Sequence, residues 1–211
     1  MSKPELWLIA GPNGAGKSTI VGRSRHLLSH IVPNVPFINP DEHARQILLT
    51  RGRHGFADSP LMEQKAAFIE AAMALEKYIG EVLESGGTVG VETVLSTAKY
   101  QRFVELVLRK RGVFGRIYVA LNSPSLACKR VAYRVENGGH DVPKSKIHDR
   151  WNRSLSNLPW FLSLSTFAFV FDNSSTANIL PALVARKHGG VLDASIDLAF
   201  PELRKALVAA A

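Results

Sequence analysis

Residues 6–18 read Leu6-Trp7-Leu8-Ile9-Ala10-Gly11-Pro12-Asn13-Gly14-Ala15-Gly16-Lys17-Ser18, and this stretch decides the fold. The part from Gly11 to Ser18 fits G-x-x-x-x-G-K-[ST], a loop whose backbone N–H groups cradle phosphates. The apolar run Leu6–Ala10 ahead of it reads as a buried strand. The segment from Lys17 to about Ser29 reads as a helix with Ile20, Val21, Leu27 and Leu28 on its core face. The chemistry needs this order. A strand delivers the chain, glycines let the backbone curl without Cβ clashes, and successive N–H groups then point into one concavity. The helix adds the positive end of its dipole. Lys17 would reach the β- and γ-phosphates as a point charge, and the Ser18 hydroxyl would ligate Mg2+. The expected nucleotide site is therefore Gly11, Pro12, Asn13, Gly14, Ala15, Gly16, Lys17, Ser18 and Thr19, with ATP and Mg2+ as cofactors. A glycine-rich turn with a chance Lys-Ser pair is the alternative, and the flanking strand and helix argue against it.

Moving outward, Val35–Ile38 is a short strand ending in Asn39-Pro40-Asp41-Glu42. That ending is a helix-start signature: Asn39 can cap, Pro40 suits the first helical position, and Asp41 and Glu42 complement the dipole. The helix runs to about Leu49, and a polar loop covers 51–58. Ser59 to about Ser85 is the longest helical pattern, with Leu61, Phe68, Ile69, Ala72, Leu75, Ile79 and Leu83 spaced for one apolar face. Thr88–Thr93 and Arg116–Leu121 read as strands, separated by a helix over Ala98–Arg111. Pro124 to about Glu136 is a basic helix, Asn137–Asp141 a loop, and Pro143 opens a helix to about Leu155. Phe167–Phe171 is the next strand. Ile179–Arg186 suits a strand or a helix, and Pro201–Ala210 a terminal helix. Strands thus alternate with helices throughout. The expected fold is α/β, a doubly wound, mostly parallel sheet with helices on both faces, forming a single domain over residues 1–211. Ligands in such sheets sit beyond the carboxyl ends of the strands.

The chain has 211 residues, a formal net charge of +8 and 46 % hydrophobic residues, the composition of an ordinary globular domain. No run approaches the ~20 apolar residues of a membrane span, so no membrane partner is expected. Met1–Glu5 leads directly into the first strand, without the apolar core of a signal peptide. Cys128 is the sole cysteine, which excludes an internal disulfide; a cytoplasmic location is the expectation. The positive charge suits polyphosphate ligands or nucleic acid. The aromatic–basic interleaving that stacks bases is missing, so a nucleic-acid partner is not expected.

The sheet-edge rule selects the chemistry. Asp41, just past the second strand, is placed to orient an acceptor hydroxyl and take its proton; a first-turn aspartate serving only the helix dipole is the alternative. Glu92 ends the third strand, where it could hold Mg2+ directly or through water, bind a substrate hydroxyl, or be a solvated acid. Thr93, Ser96 and Thr97 are candidate substrate contacts. Arg130 and Arg134 are four apart on one helix face, before a loop with paired glycines. Arginines on a flap over about residues 130–150 would neutralise charge developing during phosphoryl transfer, and closure would exclude water. His140 sits at the loop tip. Arg150 and Arg153 are further anion-binding candidates. Asp172 and Asn173 end the strand after the lid, a position that often faces the nucleotide base.

Taken together, Gly11–Ser18, Asn39-Pro40-Asp41 with Arg45, Val91-Glu92-Thr93, Lys129-Arg130 and the Gly138-Gly139-His140-Asp141-Val142-Pro143 lid resemble the zeta-toxin family of small phosphate-loop kinases, over roughly Glu5–Asn173. The resemblance implies a toxin of a toxin–antitoxin system that uses ATP to phosphorylate UDP-N-acetylglucosamine on the sugar 3′-hydroxyl. It implies Asp41 as base, Lys17 and Arg130 on the transferred phosphoryl group, and Glu92 with Thr93 lining the substrate site. By their own positions, Arg134 is a further candidate on the phosphoryl group, and Asn39, Arg45, Thr97 and His140 are further candidates about the substrate. Ser18 and Glu92 would attend the metal, and a small antitoxin would block the nucleotide site. Better-known members carry a second lid arginine about where His140 falls here. Either Arg134 replaces it from one turn away or His140 does a different job. Two other readings use the same loop: a kinase for another metabolite or a nucleic-acid end, and a nucleotide-dependent switch. The switch is disfavoured because Asp172 is followed by Asn173 rather than by a second acid.

Overall fold

The computed structural model describes residues 2–21, 35–175 and 180–211. The strands are β1 (Glu5–Ala10), β2 (Phe37–Ile38), β3 (Thr88–Thr93), β4 (Val113–Ala120), β5 (Phe167–Asp172), β6 (Ala182–His188) and β7 (Val191–Ala194). They form one seven-stranded sheet in the order β2-β3-β1-β4-β5-β6-β7. The segment from β2 to β5 is parallel throughout. The helices are α1 (Lys17–Val21 as described), α2 (Pro40–Thr50), α3 (Leu61–Glu84), α4 (Gln101–Arg109), α5 (Pro124–Glu136), α6 (Lys144–Leu164) and α7 (Pro201–Val208), with a short 3-10 turn at 196–198. Leu27 and Leu28, expected on the core face after the phosphate loop, lie outside the described residues.

Successive strand side chains point to opposite faces, so a sheet buried on both sides needs continuous apolar runs. β1 obeys this rule. Leu6, Leu8 and Ala10 join one core with Phe103, Val104 and Val107 of α4 and Leu158, Phe161 and Leu162 of α6. Trp7 and Ile9 join the other with Ile20 of α1 and Ala127 and Val131 of α5. Each fully buried Leu or Ile contributes about 1.5–3 kcal/mol. The expected doubly wound α/β sheet, covered on both faces, is therefore present. Among the described residues of the parallel strands, one buried residue breaks the apolar rule. Arg116 of β4 is fully buried, its guanidinium 5.5 Å from the Tyr118 ring and 5.1 Å from the Phe161 ring. Burial pushes its pKa down to about 9.

Three expectations need correction. The alternation of strand and helix stops after β5. The ambiguous segment before Arg186 is a strand from Ala182, antiparallel to β5, and β7 pairs back on it. The reversal is a two-residue turn at Gly189-Gly190, with φ of 58° and 84°, a conformation that glycine adopts without strain. Second, α6 runs beyond Leu155 to Leu164, through Pro159. Its end is held by β6: buried Lys187 donates from Nζ to the carbonyls of Leu162 and Ser163, at 2.9 and 2.7 Å. A cation on the last carbonyls suits the negative helix end. Third, the buried stripe of α3 is Ala67, Ala71, Leu75, Ile79 and Leu83, whereas Leu61 and Ile69 are 73 % and 62 % exposed. The small alanines let α2 approach closely, and Ala44, Leu48 and Phe56 complete a third core there. The expected Leu75, Ile79 and Leu83 are buried; at the N-terminal half, alanines take the place of the expected Leu61 and Ile69.

Candidate active site

The phosphate loop leaves β1 at the middle of the sheet, pressed against its neighbours. Gly11 has φ of 147°, and a Cβ there would lie 2.1 Å from the Val119 carbonyl oxygen. Gly14 has φ of 74°, and a Cβ there would meet the Ala127 carbonyl oxygen at 2.9 Å and the Arg130 Cβ at 3.1 Å. The loop therefore nests between β4 and the first turns of α5, an approach that only glycine permits. Pro12, Asn13 and Ala15 are buried, Gly16 is half-buried, and Ser18 and Thr19 are exposed at the start of α1. Asn173, expected near a nucleotide base, reaches the loop instead: its Nδ2 donates to the Ala15 carbonyl at 2.9 Å. It braces the loop from the end of β5.

Lys17 is 7 % exposed and donates from Nζ to the carbonyls of Gly11 and Pro12, at 2.9 and 3.0 Å. Burial lowers its pKa. The carboxylates of Glu92 and Asp41 oppose that shift, and Arg134 and Arg150 add to it. Two acids and two arginines thus converge electrostatically on one buried ammonium.

Glu92 at the end of β3 is the hub of a hydrogen-bond cluster beside the phosphate loop. Its Oε1 and Oε2 accept from the Ser18 hydroxyl at 2.8 and 2.9 Å, and Oε2 also accepts from Asn39 Nδ2 at 3.0 Å. Asn39 caps α2 through its other amide atom, where Oδ1 accepts from the Asp41 backbone N–H at 2.9 Å. Such a cap is worth about 1 kcal/mol. One asparagine thereby ties the helix bearing Asp41 to the acid facing the phosphate loop. Arg45 is held elsewhere, on Glu42 at 2.8 Å along the exposed side of α2. The Thr93 hydroxyl accepts from the Leu95 N–H at 3.1 Å, and Leu95 has φ of 61°. This left-handed turn is held from α6, where Asn157 Nδ2 donates to the Leu95 carbonyl at 2.9 Å. Thr97 lies exposed just beyond it.

The segment expected to form a lid carries two arginines with different surroundings. Arg130 is half-buried beside Gly14 and feels Asp172; burial lowers its pKa. Asp172 itself accepts from the Ser174 N–H at 2.9 Å and from the Ser174 hydroxyl. Arg134 donates from Nη2 to the His140 carbonyl at 2.7 Å. The His140 ring does not point to solvent but packs on Phe56 and Phe68, with centroids at 5.1 and 4.5 Å. Burial lowers its pKa, with Asp41 and Asp141 acting the other way. Val142 is buried in the second core and anchors the far side of the loop.

The fold thus gathers Lys17, Ser18, Asn39, Asp41, Glu92, Arg134 and His140. It sets Arg45 on an exposed helix face, engages the Thr93 hydroxyl in a turn and turns Asn173 to the loop. The aromatic seat of His140 had no signal in the sequence, because Phe56 lies in a polar loop and Phe68 reads as ordinary helix core. Arg150, read in the sequence as an anion-binding candidate that could equally be a surface charge, acts electrostatically on Lys17 and His140.

A mostly parallel sheet of this order, with a phosphate loop after β1 and carboxylates at the ends of β2 and β3, has the fold of a phosphate-loop kinase. Within that class the chain belongs to the zeta toxin family, whose model matches residues 1–180. No curated protein sequence matches it. Among solved structures it is similar to the native AvrRxo1-ORF1:-ORF2 complex, with TM-score 0.70, 15 % identity, and 99 % of this chain and 64 % of that chain covered. The AvrRxo1-ORF1:-ORF2 structure with ATP gives TM-score 0.67 and 14 % identity, covering 93 % of this chain and 62 % of that one. The PezAT chromosomal toxin–antitoxin system of Streptococcus pneumoniae gives TM-score 0.57 and 18 % identity, covering 86 % and 74 %. At these identities the likeness is one of fold. The chain spans less than two thirds of the length of the two AvrRxo1 chains.

Proposed function

We propose that the protein is an ATP-dependent kinase that phosphorylates a hydroxyl group of a small molecule, by family resemblance the sugar 3′-hydroxyl of UDP-N-acetylglucosamine, as the toxin of a toxin–antitoxin pair. The observation that carries this reading is the convergence of Asp41 and Glu92 on buried Lys17, with the Ser18 hydroxyl bonded to Glu92. Donor and acceptor halves then share one site. ATP use is supported by the phosphate loop, by the family, and by the ATP in a structure of similar fold.

In this reading, triphosphate oxygens replace the Gly11 and Pro12 carbonyls as partners of Lys17. Lys17 and the lid arginines Arg130 and Arg134 then balance the charge on the transferred group. Asp41 accepts the acceptor hydroxyl's proton as its oxygen bonds to the γ-phosphorus and the bond to the ADP oxygen breaks. Asn39 keeps Asp41 and Glu92 in register. The pair Ser18–Glu92 fits a magnesium ion: a hydroxyl and a carboxylate lie side by side at the loop, and phosphate oxygens and water would complete the oxygen set. Bound there, Mg2+ supplies charge neutralisation between the phosphates.

A small antitoxin protein covering the nucleotide site is the proposed partner, in keeping with the complexes formed by the fold relatives. A cytoplasmic setting is part of the proposal; among the described residues no helix is long and apolar enough to cross a membrane. The test is to incubate the protein and its Asp41→Asn variant with ATP, Mg2+ and either UDP-N-acetylglucosamine or a metabolite extract. Mass spectrometry then reads the added phosphoryl group. A product absent with Asp41→Asn supports the reading, and the absence of any phosphorylated small molecule with the unmodified protein sinks it.

A further inference from the structure

We propose that Phe56 and Phe68 are positioning residues for Arg134: their rings seat His140, and the seated His140 backbone carbonyl holds the Arg134 guanidinium at the Lys17 end of the site. The inference rests on the kinase reading for its effect on turnover, and on the structure alone for its effect on the lid.

The geometry runs through three contacts. Phe56 and Phe68 stack at 5.3 Å with ring planes 4° apart. His140 packs on both, tilted by 51° and 55°. Its carbonyl accepts the Arg134 Nη2 bond at 2.7 Å. Backbone N–H bonds from Gly138 and Gly139 to the Val135 and Arg134 carbonyls close α5 just ahead of the histidine, and ring packing, rather than an Nδ1 hydrogen bond, then seats its imidazole. Its Nδ1 is buried without a hydrogen-bond partner among the described residues, and burial favours the neutral imidazole. Arg134 depends on that placement, because its Nε is also buried and unpartnered among the described residues. Gly139 permits the approach: a Cβ there would lie 2.6 Å from Arg134 Cγ and 2.9 Å from the Arg134 carbonyl oxygen.

The seat belongs to the acceptor side of the molecule. Phe56 packs with Ala44 and Leu48 of α2, the helix whose first turn carries Asp41, and with Ala67 and Ala71 of α3, with Phe68 at the edge of the cluster. The rings therefore join the helix pair bearing the candidate base to the lid bearing the candidate phosphate ligand. Losing the seat releases the carbonyl, and Arg134 then samples many orientations instead of one.

The test uses the full chain with Phe68→Ala, Phe68→Leu, Arg134→Ala and the Phe68→Ala/Arg134→Ala double variant. Hydrogen exchange is read at the 138–142 amides, and kcat and the KM for ATP are read with UDP-N-acetylglucosamine as the acceptor. Phe68→Ala is expected to speed exchange at 138–142 about tenfold, leaving β1 unchanged, and to lower kcat about tenfold with KM for ATP within about twofold. Phe68→Leu restores most of both. In the Arg134→Ala background, Phe68→Ala costs no further turnover. Unchanged lid exchange in Phe68→Ala overturns the seat, and multiplicative losses in the double variant overturn its action through Arg134. If the unmodified protein phosphorylates nothing, the kinase reading fails, while the exchange measurement still decides whether the rings hold the lid.

Discussion

In the proposed reading, the donor and acceptor edges of this site are built in different ways. On the donor edge, backbone geometry does most of the positioning: Gly11 and Gly14 let the loop press against β4 and α5, and Lys17 bonds to the loop's own carbonyls. On the acceptor edge, long-range side-chain contacts do it. Asn39 and Glu92 come from separate elements and bond to each other, Glu92 also takes the Ser18 hydroxyl of the phosphate loop, and His140 is seated by rings from α3 and the loop before it. A backbone-built site is rigid and tolerates few substitutions. A site built from side chains across elements can be retuned one residue at a time.

If the comparison holds, lesions on the two edges give different kinetic signatures. Asp41→Asn tests the acceptor edge most severely. It should lower kcat by about 10²–10⁴-fold, the usual share of a general base, with ATP affinity by calorimetry unchanged. A parallel loss of ATP binding would erase the distinction between the edges. Lys17→Met should lower kcat about 10²–10³-fold and weaken ATP binding as well, because its charge meets phosphates in both ground and transition states. Asn173→Ala sharpens the donor side. Removing the brace on the Ala15 carbonyl should cost about 1 kcal/mol, read as roughly fivefold weaker ATP binding with kcat at saturation little changed.

The smallest expected effect is a pH dependence of the lid. His140 has a pKa below its ordinary 6.5 because burial disfavours the imidazolium; Asp41 and Asp141 oppose the shift and Arg134 and Arg150 reinforce it. The released lid binds more protons than the seated lid as pH falls below about 6.5, so seating weakens toward acid and is fully present above that value. Exchange at the 138–142 amides, corrected for its intrinsic pH dependence, should rise severalfold between about pH 7.5 and 5.5. It should not do so in His140→Phe, which keeps a ring and has nothing to titrate.

How far each edge could be read in advance follows from the same contrast. The strand–loop–helix around Gly11–Ser18 and the Asn39-Pro40-Asp41 helix start are local patterns, and both appear at the expected residues. α5 was bounded by Pro124 and Glu136 in the sequence and is so in the structure. Errors arose where packing overrode the pattern. α6 passes through Pro159 because it is packed along the sheet and closed by Lys187 from β6. Leu61 and Ile69 stay exposed because α2 meets α3 along alanines. The β6–β7 hairpin escaped notice although Gly189-Gly190 is a turn signal, because the preceding pattern was strictly α/β.

By itself, the order of residues determined that a phosphate loop follows a buried strand, that Asp41 starts a helix at the next strand end, and that two arginines precede a glycine-rich loop. Each depends on neighbours within a few positions, where steric and capping preferences act directly. Only the tertiary structure decided that Lys17 is buried on its own loop, that Asn39 joins Asp41 to Glu92, that Asn173 serves the loop, and that His140 is an aromatic filler whose carbonyl holds Arg134. These join residues far apart in the chain. Their geometry is set by how the sheet and helices pack, which no local window encodes.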